Sequence, residues 1–370
     1  MKRKVAAVTS SRADFSHLYW PLRELAARPE IDLKIVAMGP HLSPEFGHTA
    51  AEIEKAGFAI DARIECLLSS DSDVGMAKTI GVATLGLADC LGQMRPDLLL
   101  LIADRYEMLA PASVALALRI PIAHIEGGEI SEGAIDDAVR NALTKLSHVH
   151  FTSTEQARAR VIAMGEEAWR VHRAGAPSLD HLRRSALLPP VPGQPAVIVA
   201  YHPTTIARDT IREADALFTA LESVEGQLVF CYPNADAGSR ALIARAREFL
   251  ARRGNGQVFV NLDPVAYWSL LRGARFLLGN SSSGIMEAAS FAIPAVNVGI
   301  RQRGREHGRN VLDADATVDS ILACVGKAAD PIFRASLAGM ENPYGDGHAS
   351  ERIAAVLATV PLGEELLIKR

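Results

Sequence analysis

A chain of 370 residues is longer than one hydrophobic core usually serves, so two domains of ordinary size are expected. Hydrophobic residues make up 49% and charged residues 22%, which excludes a disordered chain. A formal charge of -4, from 39 basic and 43 acidic residues, leaves no broad cationic surface for nucleic acid or anionic lipid. Cys66, Cys90, Cys231 and Cys324 lie far apart with no Cys-x-x-Cys pair, against a disulfide framework or a structural zinc site. The apolar stretch after Met1-Lys2-Arg3-Lys4 meets Ser10, Ser11 and Arg12 too soon for a signal peptide, and the longest apolar runs, such as Leu98 to Ala103, are of strand length. The expected location is the cytoplasm.

Short β-branched and leucine-rich runs alternate with longer amphipathic stretches, the pattern of parallel sheets covered by helices on both faces. Strands are predicted over 4–9, 33–38, 97–102, 122–125 and 148–152, then over 196–201, 227–232, 258–261, 276–279 and 295–298. The fold class is therefore α/β, with two doubly wound, Rossmann-like domains. Residues 187–195 carry four prolines, a composition that suits a semi-rigid linker and sets the domains at 1–188 and 189–349. Two such domains would put the carboxyl ends of both sheets around an interdomain cleft, so the chemistry is expected at strand ends. No Gly-x-Gly-x-x-Gly follows the first strand and no P-loop signature occurs, which removes the main support for a dehydrogenase or a P-loop kinase.

The third predicted strand runs into Ala103-Asp104-Arg105-Tyr106-Glu107, and the next ends in His124-Ile125 and runs into Glu126-Gly127-Gly128-Glu129. Glu126, Glu129, Glu132, Asp136 and Asp137 place five acids within twelve residues. Carboxylates so close together repel, which raises some of their pKa values into the range that general acid–base catalysis uses. The adjacent glycines would let backbone approach a ligand closely. Helix capping competes for Asp104, and for one acid of the Asp136-Asp137 pair, which lies in the first turn of a helix with Arg140. In the second half, His202 ends a strand, and Asn280-Ser281-Ser282-Ser283-Gly284-Ile285-Met286-Glu287 opens a predicted helical run. Hydroxyls and free N–H groups there suit an anion, and Glu287 could accept from ribose hydroxyls. Arg301-Gln302-Arg303-Gly304-Arg305 offers guanidinium groups to phosphate. His124, Glu126, His148 and His150 lack zincin spacing, so no metal is expected.

Together these motifs resemble the hydrolysing UDP-N-acetylglucosamine 2-epimerases of sialic-acid biosynthesis, both the bacterial enzymes and the epimerase half of the bifunctional animal enzyme. The likeness runs from Ser11-Arg12-Ala13-Asp14-Phe15-Ser16 and Gly39-Pro40-His41-Leu42, through the acidic segments, His202-Pro203 and Pro233-Asn234-Ala235-Asp236, to Asn342-Pro343-Tyr344-Gly345. It implies a GT-B arrangement of the domains, a C-terminal helix over 350–370 crossing back to the first, no added cofactor, and a homodimer or homotetramer. Proton loss at C2 and departure of UDP from C1 would give 2-acetamidoglucal, which takes up water to yield N-acetylmannosamine. By motif, Asp104, Glu126, Asp136, Asp137 and His202 are the catalytic candidates. Arg12, Ser16, Arg105, Arg140, Asn234, Ser281, Ser282, Gly284, Glu287 and Arg301, with His202, would hold the nucleotide sugar. Ala103 and Asn141 depart from the glycine and histidine usual in the family. A related enzyme acts on UDP-N,N'-diacetylbacillosamine, so the groups at C4 and C6 of the sugar stay open. Rival readings are a non-hydrolysing epimerase, a GT-B glycosyltransferase and a non-catalytic sugar-nucleotide sensor.

Overall fold

In the computed structural model, which describes residues 2–68, 72–130, 135–189, 196–202, 210–232, 239–260 and 262–369, the chain divides into two units. Met1–His181 with Gly347–Arg370 form the first, and Leu182–Asp346 the second. The elements run β1 (Arg3–Thr9), α1 (Arg12–Ala26), β2 (Ile31–Met38), α2 (Ala50–Lys55), β3 (Ala62–Ile64), α3 (Asp73–Met94), β4 (Leu98–Ile102), α4 (Leu109–Leu118), β5 (Ile122–Ile125), α5 (Ile135–Leu146), β6 (Val149–Thr152), α6 (Glu155–Ala163), β7 (Val171–Arg173) and α7 (Pro177–Arg184). They continue with β8 (Val197–Ala200), α8 (Thr210–Glu222), β9 (Leu228–Tyr232), α9 (Ser239–Arg253), β10 (Gly256–Val260), α10 (Pro264–Arg272), β11 (Phe276–Gly279), α11 (Ser282–Ile285), α12 (Glu287–Ser290), β12 (Ala295–Val298), β13 (Val311–Ala314), α13 (Val318–Ala329), α14 (Pro331–Ser336), α15 (Ala349–Thr359) and α16 (Glu364–Leu367).

Among the described residues the first sheet has the order β3-β2-β1-β4-β5-β6-β7 and the second β10-β9-β8-β11-β12-β13, with every recorded pairing parallel. Each sheet is therefore doubly wound, with a topological switch point between β1 and β4 or between β8 and β11. The central strands are buried and largely apolar through their middles because both faces are covered. Val5, Ala7, Leu98, Leu100 and Ile102 face one layer, and Ala6, Val8, Leu99 and Leu101 the other. The second unit has its own core around Val197, Val199, Phe230, Leu278 and Val296.

α3 changes one expectation drawn from the sequence. It is 22 residues long and contains an 18-residue window with a mean hydropathy of 1.3, enough to cross a membrane by length and composition, so not every apolar stretch is of strand length. Thr79, Ala83, Leu87 and Leu91, four residues apart, nevertheless pack into the first unit, while Val74, Val82 and Leu85 are exposed.

The first unit is completed from the far end of the chain. α15 packs on α1 and sends Ile353, Ala354 and Leu357 into the layer that holds Phe15, Leu18 and Leu22. Its N-terminus is capped by Asp180, whose carboxylate is fully buried and accepts from Ala349 N at 2.9 Å and Ser350 N at 2.7 Å. The buried Arg170 guanidinium donates to the carbonyls of Leu366 (2.6 Å), Ile368 (2.6 Å) and Glu365 (3.0 Å). All four cysteines are free thiols.

Candidate active site

Several ionisable groups of the first unit gather near the β1–β4 switch point, where the strand order reverses. After β1, Ser11 caps α1 by accepting from Asp14 N, and the buried Asp14 carboxylate accepts from Ser10 N (3.1 Å) and Ser10 Oγ (2.7 Å). β4 and β5 are each followed by a residue in the left-handed region: Ala103 has φ +59° and Glu126 φ +67°. Such a conformation costs a side-chain-bearing residue about 1 kcal/mol and persists because its surroundings fix it. Here Ala103 N donates to Ile125 O (3.0 Å), His124 Nε2 donates to Ala103 O (2.8 Å), and Glu126 N donates to Phe151 O (2.8 Å). The turn aims Asp104 and Glu126 out of neighbouring strand ends. Burial holds the His124 imidazole down to about 4, so it serves this turn as a neutral donor near pH 7.

Arg140 organises the acids. From the buried face of α5 it pairs with Asp104, donates from Nη1 to Asp137 Oδ1 at 2.8 Å, and donates from the same nitrogen to Glu129 O at 2.9 Å. Burial, followed by the negative fields of Asp136 and Glu126, raises the Asp104 carboxyl above its ordinary pKa even though Arg140 pulls the other way. Asp136 and Asp137 occupy the first turn of α5 as expected. Glu132 lies outside the described residues.

Arg105 donates to the fully buried Glu107 carboxylate at 2.6 Å. Arg140 meets Asp104, Asp137 and Glu129 O. One sequence expectation needs correction in this unit. The adjacent glycines serve close packing: a Cβ on Gly127 would lie 3.1 Å from Thr144 Oγ1, and one on Gly128, at φ +80°, only 2.3 Å from Ala157 O. Arg12 and Ser16 are exposed on the first turns of α1, with Ser16 Oγ donating to Ala13 O at 2.7 Å.

In the second unit the switch point is held by Asn280. Its Oδ1 accepts from His202 N at 2.7 Å and its Nδ2 donates to His202 O at 2.8 Å, which locks the end of β8 to the end of β11. Gly279 permits this close approach of β11 to β8, since at φ +147° an added Cβ would fall 2.1 Å from Ala200 O. Arg301 Nη1 and Gln302 Nε2 both donate to Asn280 O at 2.9 Å. Burial, and secondarily Arg301, pull the His202 imidazole down to about 4. At neutral pH it is therefore an uncharged imidazole.

The predicted helical run from Ser281 is two short turns, α11 and α12, broken at Met286. Ser281 caps α11 by accepting from Ser283 N, and Tyr267 and Ser281 both meet the Ser283 hydroxyl, at 2.5 and 3.0 Å. Ser282 begins α11 and Glu287 begins α12. At Gly284 a Cβ would meet Leu277 Cδ2 at 3.2 Å and Ala295 Cβ at 3.3 Å. Asn234 lies outside the described residues. Sequence reasoning missed His17, whose Nδ1 lies 2.9 Å from Glu126 Oε1, and the shared role of Asn280 and Gln302. His17 follows the Ser11–Ser16 motif directly, the one local signal that could have found it.

Fold and site together define a doubly wound α/β enzyme with carboxylates at one switch point and a hydroxyl-rich turn at the other. The sequence profile of the family described as UDP-N-acetylglucosamine 2-epimerase matches residues 23–358, and the chain belongs to that family. It is 36% identical over 380 residues to the UDP-N,N'-diacetylbacillosamine 2-epimerase (hydrolyzing) of Legionella pneumophila, covering 100% of this chain and 99% of the relative. It is 34% identical to the GDP/UDP-N,N'-diacetylbacillosamine 2-epimerase (hydrolyzing) of Campylobacter jejuni, covering 85% of each. Among solved structures, the UDP-GlcNAc 2-epimerase from Neisseria meningitidis bound to UDP-GlcNAc matches with a TM-score of 0.75 at 17% identity, over 96% of this chain and 99% of that one.

Proposed function

We propose that the protein is a hydrolysing 2-epimerase of a UDP-linked 2-acetamido sugar, releasing UDP and the free C2-inverted sugar for sialic-type acid synthesis. One observation carries this reading: the raised Asp104 carboxyl beside Glu126 at adjoining strand ends, with Arg140 spanning Asp104 and Asp137. The C2 proton is unactivated, so its removal calls for a positioned base, and loss of UDP calls for donors at the diphosphate. Glu126 and Asp104 supply proton transfer at the sugar. Ser281, Ser282, neutral His202 and Arg301 supply donors to the diphosphate, and Glu287 accepts from the ribose. The glycal formed by elimination then takes up water.

The identity over the full chain to the Legionella pneumophila protein puts UDP-N,N'-diacetylbacillosamine ahead of UDP-GlcNAc as the substrate. The test is NMR of each sugar nucleotide with pure protein in heavy water. Free sugar deuterated at C2 together with UDP is expected; an intact epimerised sugar nucleotide, or no change, would refute the reading.

We further propose pairing with a second copy through the exposed apolar face of α3. Between its ends α3 carries only Lys78 and Asp89 as charged residues, both exposed. An antiparallel pair centred between Ala83 and Thr84 sets each Lys78 against its copy's Asp89 and each Leu85 against Val82, so the face complements itself. Light scattering should report a dimer for the wild type and a monomer for Leu85→Glu. A wild-type monomer would end this proposal.

A further inference from the structure

We propose that His17 is a positioning residue for Glu126, a role that rests on the epimerase reading above. His17 lies on the second turn of α1, 109 positions before Glu126, and its Nδ1 sits 2.9 Å from Glu126 Oε1. A carboxylate oxygen only accepts, so Nδ1 carries the proton and donates.

Both partners stand on fixed backbone. The start of α1 is set by the Ser11 cap and the buried Asp14 carboxylate, and Glu126 is set at φ +67° by its N–H to Phe151 O. The hydrogen bond from His17 holds the Glu126 carboxylate at Oε1. A base fixed in this way reaches its proton without first ordering its own side chain, an advantage that appears in turnover more than in substrate binding. His17 remains 38% exposed and Glu126 15%, so substitutions at His17 leave the apolar layers untouched.

The test compares the full chain as wild type, His17→Phe and His17→Asn, following UDP release from both candidate sugar nucleotides. Phe keeps a ring and removes the donor; Asn puts an amide N–H close to where Nδ1 stands. Phe should lower kcat about 20-fold with KM within about threefold, and Asn should recover most of that loss. Equal kcat in wild type and His17→Phe, equal loss in both variants, or a loss confined to KM would each overturn the proposal.

If the wild type releases UDP from neither sugar, the functional reading fails on its own. The pair is then read from the Glu126 carboxyl carbon shift against pH. Among the described residues, Asp104 at the end of β4 and neutral His124 in β5 act electrostatically with Glu126. Loss of the donor in His17→Phe should raise the Glu126 midpoint and Asn should return it; a midpoint unmoved by Phe rejects the pairing.

Discussion

Replacing Arg140 by Met keeps an unbranched chain of similar length in the α5 face and removes the cation that Asp104 and Asp137 share. Breaking a buried pair from one side typically costs about 3–5 kcal/mol, because the partner charge is left unmatched. The two acids here are 24% and 35% exposed, so water recovers part of that cost and about 2–3 kcal/mol is expected. The carbonyl of Glu129 also loses its donor. For a unit of about 200 residues this corresponds to a fall in Tm of roughly 4–12 °C. The electrostatic sign is fixed as well. Burial, Asp136 and Glu126 already hold the Asp104 carboxyl above its ordinary pKa, and losing Arg140 removes the main opposing influence, so Asp104 takes up its proton at still higher pH. Scanning calorimetry and the carboxyl carbon titration of Asp104 measure the two effects separately. A melting temperature within about 1 °C of wild type, or an Asp104 midpoint that stays or falls, would refute the role given to Arg140.

Acidification should weaken the first unit more than the second. His41, His124 and His148, buried in the first unit, and His202 in the second are each held near 4, below the ordinary histidine value. Each stays neutral in the folded state while the unfolded chain binds a proton below about 6.5, so stability is complete above that value and is lost as pH falls towards 4. Calorimetry at pH 7 and pH 5 should show the larger drop in the transition assigned to the first unit, and equal drops would contradict the assignment. Ala103→Gly relieves the left-handed strain before Asp104 and should raise stability by about 0.5–1 kcal/mol in denaturant titrations; a destabilised variant would show that the turn is unstrained. Gly279→Ala forces a Cβ against Ala200 O and should cost the second unit about 3 kcal/mol or more, with weaker UDP binding by calorimetry. Wild-type values for both would reject Gly279 as the residue that allows the close approach of β11 to β8.

The central strands could be read from sequence to within two residues because burial on both faces makes them continuous apolar runs, as in the Leu98–Ile102 strand. β3, β7 and β13 were not predicted. They are three or four residues long, stand at sheet edges, and mix polar residues such as Arg63, His172 and Asp313 with apolar ones, so no run stands out. Asp104 and the Asp136-Asp137 pair were legible as candidates because parallel sheets deliver such groups at strand and helix ends. The partners they choose were not. Arg140 reaches Asp104 across 36 positions and His17 reaches Glu126 across 109, distances over which residue spacing carries no geometric information. The adjacent glycines misled for a similar reason: Gly127 and Gly128 read as letting backbone approach a ligand, while the space a side chain would need is filled by protein.

The return of the chain to the first unit has a consequence for biosynthesis. On the ribosome, the strands of the first sheet are complete once Arg173 has been made, but α15 and the carbonyls that Arg170 grips follow more than a hundred residues later. At about 5–20 residues per second the nascent first unit waits on the order of 10–30 s with Leu18 and Leu22 lacking part of their cover and Asp180 lacking the N–H groups it caps. The second unit can close on itself during that interval. The unit carrying the carboxylates would then be the last to become stable, and substitutions at Asp180 or Arg170 should lower yield during synthesis more than they lower the stability of protein already folded.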